Sequence, residues 1–103
     1  MMLSAEASNT DTHIYGHIID KTTGEHLPYI VVVLKGTTIG VSTDNTGHYL
    51  MRDIPEGTYT IEVAAIGYKT QRRELTVKKG ISYEMNFMLE EDLIQIEGVI
   101  VSA

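Results

Sequence analysis

Four histidines are the residues of this chain whose type most readily suggests chemistry, because the imidazole ring is the commonest metal ligand in proteins. His13 and His17 are four positions apart in a run typical of a β-strand. At about 3.3 Å per residue they would lie about 13 Å apart, too far to share one ion. His26 and His48 each stand alone beside a predicted turn. The spacing therefore predicts no metal site, and we expect all four to be solvated surface side chains.

One short segment is similar to the opening of a calcium-binding loop. It reads Asp44-Asn45-Thr46-Gly47, but the later carboxylate that closes such a loop is missing. The Asp44 side chain can instead bond to backbone amides two residues further along. The segment is therefore interpreted as a hairpin turn.

Residues suited to catalysis are not assembled in any recognisable pattern. The chain has no cysteine and no Gly-x-Ser-x-Gly sequence, and its glycines follow no phosphate-binding spacing. Neighbouring carboxylates occur only in Glu90-Glu91-Asp92, a solvated run with nothing to desolvate it. We therefore predict no catalytic residues, no cofactor and no enzymatic activity.

The elements that must position these side chains are short β-strands separated by turn sequences about every ten residues, a spacing typical of β-sandwiches. Seven strands are predicted, over residues 13–20, 29–35, 41–43, 48–53, 58–66, 69–77 and 81–89. Alternation of apolar and polar residues indicates which side chains face inward. The predicted centre of the core consists of Tyr59, Ile61, Val63, Tyr83, Met85 and Phe87, with Ile81 and Leu89 on the same inward face.

Length and charge limit the remaining function classes. The chain has 103 residues, of which 43% are hydrophobic, so one domain is expected. A formal net charge of −6 with scattered basic residues argues against nucleic acid and anionic membrane surfaces as partners. No apolar run is long enough for direct membrane insertion. The absence of cysteine excludes disulfides.

Both ends of the chain differ from the strand-rich middle. Residues 1–12 are small and polar and are expected to be disordered. Ala5-Glu6-Ala7 has the spacing that signal peptidase prefers, so this segment is interpreted either as a signal-peptide remnant or as a tail with chance small residues. Residues 90–95 are predicted to be an acidic linker. Residues 96–103 form a detached strand-forming segment.

The turn sequences together resemble a known family, the carboxypeptidase-regulatory-like domain, and in particular the version at the N-terminus of TonB-dependent outer-membrane receptors. The resemblance covers residues 14–89, and seven motifs occur in order. They are GHIID at 16–20, TGEHLPY at 23–29, VLKGTTIG at 33–40, TD at 43–44, GHY at 47–49, IPEGTY at 54–59 and IGY at 66–68. The resemblance implies an all-β, seven-stranded Greek-key β-sandwich of the transthyretin-like type over residues 13–89.

The same resemblance implies a function in transport. The domain would lie at the periplasmic face of the outer membrane, ahead of the plug and barrel of the same receptor, and this chain would be a fragment. The tail is similar to a TonB box, which binds the C-terminal domain of TonB by strand addition. The implied box residues are Ile96, Glu97, Gly98, Val99, Ile100, Val101, Ser102 and Ala103. Gly98 and Ser102 depart from the usual pattern, where Glu and Thr are more common.

Cargo and partners are expectations of the same kind. The Ser-Ala ending favours a receptor for iron-siderophore, haem or vitamin cargo over one for glycans. A periplasmic regulatory protein or a lipoprotein is a further class of partner. The alternative function is an accessory β-sandwich of a carboxypeptidase or of a surface carbohydrate-active protein. Hydrolysis of a small ureide is not expected, because the required histidine and arginine cluster and the Tyr-Arg-Gly-Ser ending are missing.

Overall fold

The computed structural model describes residues 11–92 and forms two β-sheets of four strands each. The strands are β1 His13–Asp20, β2 Val31–Leu34, β3 Gly40–Ser42, β4 His48–Met51, β5 Gly57–Ala64, β6 Gln71–Val77, β7 Ser82–Glu84 and β8 Phe87–Leu89. The predicted all-β sandwich is confirmed. Over residues 11–92 no helix has the length and apolar character needed to cross a bilayer.

The two sheets differ in how their strands run. In the first sheet, β1 pairs with β4 in the antiparallel direction and with β7 and β8 in the parallel direction. The second sheet is antiparallel throughout, in the order β3-β2-β5-β6. The apolar run of β2 therefore lies between two strands, the interior position that its valines predict.

The last predicted strand, residues 81–89, is divided into β7 and β8 at Met85 and Asn86. The Met85 amide donates to the Tyr15 carbonyl at 2.8 Å, and the His17 amide donates to Oδ1 of Asn86 at 3.0 Å. A side-chain oxygen thus replaces a backbone carbonyl at this step of the ladder with β1. A Cβ on Gly16 would collide with the Met85 carbonyl oxygen, so only glycine permits this close approach of the two chains. The single long strand of the prediction is therefore two short ones.

The core lies between the sheets and is built from the inward positions of the strands. Its buried hydrophobic residues are Ile14, Ile18, Val32, Leu34, Tyr49, Met51, Ile54, Ile61, Val63, Val77, Phe87 and Leu89. Ile61, Val63, Phe87 and Leu89 are inward as predicted. Tyr59, Tyr83 and Met85, predicted at the centre, are half-buried at its margin.

One predicted inward position is wrong, and one tyrosine of β1 also faces outward. Ile81 is 47% exposed, because it precedes β7 and lies in the turn that Lys78 begins. Tyr15 is 40% exposed, because the odd-numbered residues of β1 face outward. Alternation in the sequence gives the two faces of a strand but not the residue at which pairing begins.

A turn at residues 44–47 is confirmed, but the prediction that it is a hairpin is wrong: β3 pairs with β2 and β4 pairs with β1, so the turn carries the chain from one sheet to the other. The Asp44 carboxylate accepts bonds from the Thr46 hydroxyl at 2.6 Å, the Thr46 amide at 2.8 Å and the His48 amide at 3.1 Å. These bonds, that from the Thr46 hydroxyl first, lower the pKa of Asp44 to about 2. The carboxylate therefore shapes the turn through Oδ1, as the sequence interpretation of Asp44 expects.

Candidate functional site

The proposed TonB box, residues 96–103, lies outside the described residues, as does the N-terminal segment up to residue 10. The structure does describe the residues that lead from the sandwich toward this segment. That exit consists of Glu90, Glu91 and Asp92 together with the turn between β5 and β6. We call this arrangement the exit pairing.

Backbone bonds fix the exit pairing on both sides of Tyr68. The Lys69 amide donates to the Glu90 carbonyl at 2.9 Å, and the Asp92 amide donates to the Gly67 carbonyl at 2.9 Å. Tyr68 and Glu91 form an antiparallel bridge between them. The predicted linker over residues 90–95 is therefore attached to the sandwich along its first three residues.

A buried carboxylate, that of Asp20, is hydrogen-bonded to Tyr68 of the exit pairing. The Tyr68 hydroxyl donates to Oδ2 of Asp20 at 2.7 Å. Oδ1 of Asp20 accepts from the amides of Thr22 at 2.8 Å and Thr23 at 3.0 Å. Bonds from Thr23 and Tyr68 hold the pKa of Asp20 below its ordinary value, and the bond to Asp20 raises the pKa of Tyr68 to about 12. One ionised side chain thus joins the end of β1 to the turn that pairs with Glu91.

A shallow apolar cavity of about 310 Å³ opens beside Tyr68. Its lining includes Ile66, which is 99% exposed, and Tyr29, which is 71% exposed. Tyr29 has a φ of 60°, an uncommon backbone conformation for a bulky residue, and its amide donates to the Thr43 carbonyl at 2.9 Å. The sequence indicated nothing of this surface, because its residues come from two segments that are far apart along the chain, at 29–31 and 64–68.

The structure brings together three of the four histidines, and the prediction that they stand apart is wrong for these three. The ring centres of His17 and His26 are 5.4 Å apart, those of His26 and His48 5.4 Å, and those of His17 and His48 5.7 Å. We call this group the histidine triad. His13 is separate from it, and its Nδ1 accepts from the Asp53 amide at 3.3 Å.

Strand pairing explains why the triad forms. His17 of β1 is directly opposite His48 of β4, and Ile19 of β1 forms a bridge with His26. Paired residues of antiparallel strands project from the same face, so these contacts place all three rings on the outer face of the sheet. The pairing of the GHIID and GHY segments is the signal that could have revealed the triad. The spacing of the histidines along the chain does not reveal the triad.

The family comparison adds the identity of the fold. The family model described as the CarboxypepD_reg-like domain matches residues 14–101, most of the chain. A TonB-dependent receptor, P3, from Formosa agariphila is 22% identical over 101 residues. That alignment covers 98% of this chain but only 10% of the receptor, so the chain spans about a tenth of the length of this relative.

Solved structures with the same fold belong to proteins of several kinds. A type II cohesin-X-dockerin complex from Acetivibrio cellulolyticus is matched at 26% identity and a TM-score of 0.56, over 74% of this chain and 52% of the other. The 5-hydroxyisourate hydrolase of Klebsiella pneumoniae is matched at 15% identity and a TM-score of 0.62, over 79% and 91%. A putative carbohydrate binding protein from Bacteroides uniformis is matched at 24% identity and a TM-score of 0.60, over 79% and 42%.

The last two likenesses concern the fold alone, since fold similarity at such low identity does not carry function. The match of the family model carries more, because it extends over both sheets and beyond the exit pairing to Val101. This chain belongs to the CarboxypepD_reg-like domain family.

Proposed function

We propose that this chain is the N-terminal domain of a TonB-dependent outer-membrane receptor, that it lies in the periplasm, and that its tail is a TonB box. The observation that carries the proposal is the alignment of 98% of the chain with TonB-dependent receptor P3. The family match through Val101 supports it, because the tail is included in the segment that family members share.

The exit pairing gives the sandwich a mechanical role in this proposal. A pulling force applied to the tail would reach the sandwich at Asp92 and would be carried by its bond to Gly67 and by the bond from Lys69 to Glu90. The Lys69 and Glu90 side chains add an ion pair at 3.6 Å, which is exposed and contributes little. Asp20 and Tyr68 connect this turn to β1, the strand that pairs with three others. Force on the tail would thus be distributed over a whole sheet.

The box itself would bind by strand addition. Its backbone amides and carbonyls would pair with a sheet edge of TonB, and alternate side chains would fill shallow pockets. Because backbone groups supply most of such an interaction, the substitution of Gly98 and Ser102 for more usual residues is compatible with binding. Proline is the disruptive substitution, since it removes an amide donor and fixes φ.

The test is binding of the purified TonB C-terminal domain to the full 103-residue chain, followed by calorimetry and by amide NMR of the chain. We expect Val99→Pro or Val101→Pro to abolish binding, and Val99→Ala or Val101→Ala to weaken it only mildly. The melting temperature of the sandwich should stay within about two degrees in all four variants, since none alters the core.

Gln95→Pro is the matched control, because it places the same residue in the linker and outside the box. It should leave binding intact. If Gln95→Pro abolishes binding as well, or if Val101→Pro unfolds the domain, the tail is not an independent box. Failure of the unsubstituted chain to bind TonB would overturn the coupling role.

The cargo proposal is narrower and rests on Ser102 and Ala103 alone. We propose iron-siderophore, haem or vitamin cargo. Uptake by the complete receptor under iron limitation tests this, and growth dependence on a glycan instead would exclude it. A hydrolase following Ala103, in place of a plug and barrel, would favour the alternative of an accessory sandwich.

A further inference from the structure

The histidine triad has the separation that three imidazoles adopt around one metal ion. A metal-nitrogen bond is about 2.1 Å long and the ring centre lies about 1 Å further out, so rings on a tetrahedral ion have centres about 5 Å apart. The three observed separations are 5.4, 5.4 and 5.7 Å. All three rings lie at the surface of the sheet, where an ion has access from solvent.

Two of the rings use the same nitrogen, Nδ1, in a hydrogen bond to Thr46. Nδ1 of His26 lies 2.9 Å from the Thr46 carbonyl oxygen, and since a carbonyl can only accept, this Nδ1 carries the hydrogen. The Thr46 hydroxyl gives its single hydrogen to the Asp44 carboxylate, so Nδ1 of His48, at 2.9 Å, donates to that hydroxyl oxygen. In both rings Nε2 is therefore the nitrogen left for a ligand.

Hydrogen bonds of this kind are the usual outer support of metal-bound histidines, because they fix the ring and increase its basicity. The supporting residue is the same for both rings, Thr46, which is itself fixed by Asp44. Gly47 completes the arrangement. It has a φ of 81°, and a Cβ there would lie 2.8 Å from the Cβ of His26, so the turn can lie against His26 only with glycine at this position.

We propose that His17, His26 and His48 form a surface binding site for one divalent transition-metal ion, with Zn²⁺ as the expected occupant. Three imidazole nitrogens suit zinc, and the fourth position of the tetrahedron is left to water or to a donor from a partner. This proposal rests on the triad and is independent of the proposed transport function.

The His17 ring must turn before the three rings can bind one ion. Among residues 11–92, no three histidine or carboxylate side chains are arranged to hold a metal ion as they stand. His17 is stacked on His26 with an interplanar angle of 26°, so the nitrogens of His17 do not face the His26 ring. The ring centre lies close to the Cβ–Cγ axis, so rotation about that bond redirects the nitrogens without moving the centre. This rotation is a broad, soft torsion in histidine.

Calorimetric titration of the full chain with zinc chloride tests the site. We expect one Zn²⁺ per chain in the micromolar range, and no stoichiometric binding of Ca²⁺ or Mg²⁺, which prefer oxygen ligands. The single substitutions His17→Gln, His26→Gln and His48→Gln should each weaken zinc binding by at least about tenfold. Loss of a residue that only hydrogen-bonds to a ligand already costs about that much affinity, and loss of a ligand itself should cost no less. His13→Gln is the matched control on the same strand and should leave the affinity unchanged.

Nitrogen NMR of the imidazole rings supplies the second measurement, since metal binding shifts the bound nitrogen strongly. Shifts at Nε2 of His26 and His48 on adding Zn²⁺, with Nδ1 unchanged, would support the proposed geometry. Three results would overturn the site: no stoichiometric binding, equal affinity in the His13→Gln and His48→Gln variants, or full affinity retained in His17→Gln. Circular dichroism of each variant establishes that it is folded.

Discussion

The two faces of β1 differ in the origin of the residues that meet on them. On the inward face, Ile14 and Ile18 are fully buried in the core and are followed by Asp20. On the outward face, His17 meets one histidine from β4 and one from the loop after β1. Burial of apolar area organises the first face, whereas strand pairing organises the second.

This difference shows what a single strand can specify by itself. An inward face needs only the correct period and apolar side chains, which any sheet packed on another will bury. An outward cluster needs particular partners in a particular register, and a shift of one residue would disperse it. Substitutions on the two faces should therefore have effects of different size and kind.

The largest expected effect is on the inward face. Phe87 of β8 is fully buried, and the guanidinium of Arg73 lies 4.7 Å from the centre of its ring. Phe87→Ala should lower the free energy of unfolding by about 3 to 5 kcal/mol, because it removes buried area and leaves a cavity. Urea denaturation followed by circular dichroism measures this loss.

Met88→Ala is the control, since Met88 is the exposed neighbour of Phe87 on the same strand. It should change the free energy of unfolding by no more than about 0.5 kcal/mol. A loss below about 1 kcal/mol for Phe87→Ala, or equal losses for both variants, would mean that the inward face of β8 has been misassigned.

The inward face was largely predictable from the sequence, and particular residues show why. Phe87 and Leu89 are inward because apolar and polar residues alternate along the last strand, and Asp44 begins a turn because of its own side-chain chemistry. Each of these predictions depends on neighbours in the chain. The family resemblance, which rests on turn sequences, was confirmed for the same reason.

The triad and the exit pairing were not predictable by this route. His26 reaches His17 only because Ile19 and His26 pair, and the start of the linker is held against the sandwich because Glu91 pairs with Tyr68. Both are contacts between distant segments, and neither leaves a periodic pattern. The division of the last strand at Asn86 has a similar origin, since its side chain accepts a bond from His17.

A smaller effect is expected where the loop that carries His26 is fastened to the sandwich. The buried Thr43 hydroxyl donates to the Leu27 carbonyl at 2.8 Å and accepts from the Ile30 amide at 2.8 Å. Thr43→Val keeps the shape and leaves both backbone groups unpaired. It should lower the free energy of unfolding by about 1 to 3 kcal/mol, measured by urea denaturation.

Thr43→Ser restores the hydroxyl and should recover most of this stability. The comparison also separates the two faces, because Thr43→Val should loosen the loop around His26 while the inward face stays packed. Faster amide hydrogen exchange in residues 26–30, with β5 unchanged, is the expected result. Uniformly faster exchange would instead indicate that the loop and the core open as one unit.

The smallest expected effect concerns Asp20, which occupies an inward position of β1 but is a carboxylate. Its pKa is held below the ordinary value of 3.8 by the Thr23 amide first and by the Tyr68 hydroxyl next. A group with a lowered folded-state pKa stabilises the fold above its unfolded pKa, and this stabilisation is lost as the pH falls through the folded pKa. Acidification below about pH 4 should therefore remove the contribution of Asp20.

Urea denaturation at about pH 6 and about pH 2.5 measures that contribution, in the unsubstituted chain and in Asp20→Asn. Asp44 also has a lowered pKa, to about 2, so the unsubstituted chain alone would not isolate Asp20. Asp20→Asn should be less stable near pH 6 and should lose less on acidification, because only the Asp44 contribution remains. Tyr68→Phe, which removes the hydroxyl donor to Oδ2 of Asp20, should lose an amount of stability on acidification between those of the two chains. If Asp20→Asn loses as much stability on acidification as the unsubstituted chain, the ionised carboxylate of Asp20 is not what joins β1 to the turn that pairs with Glu91.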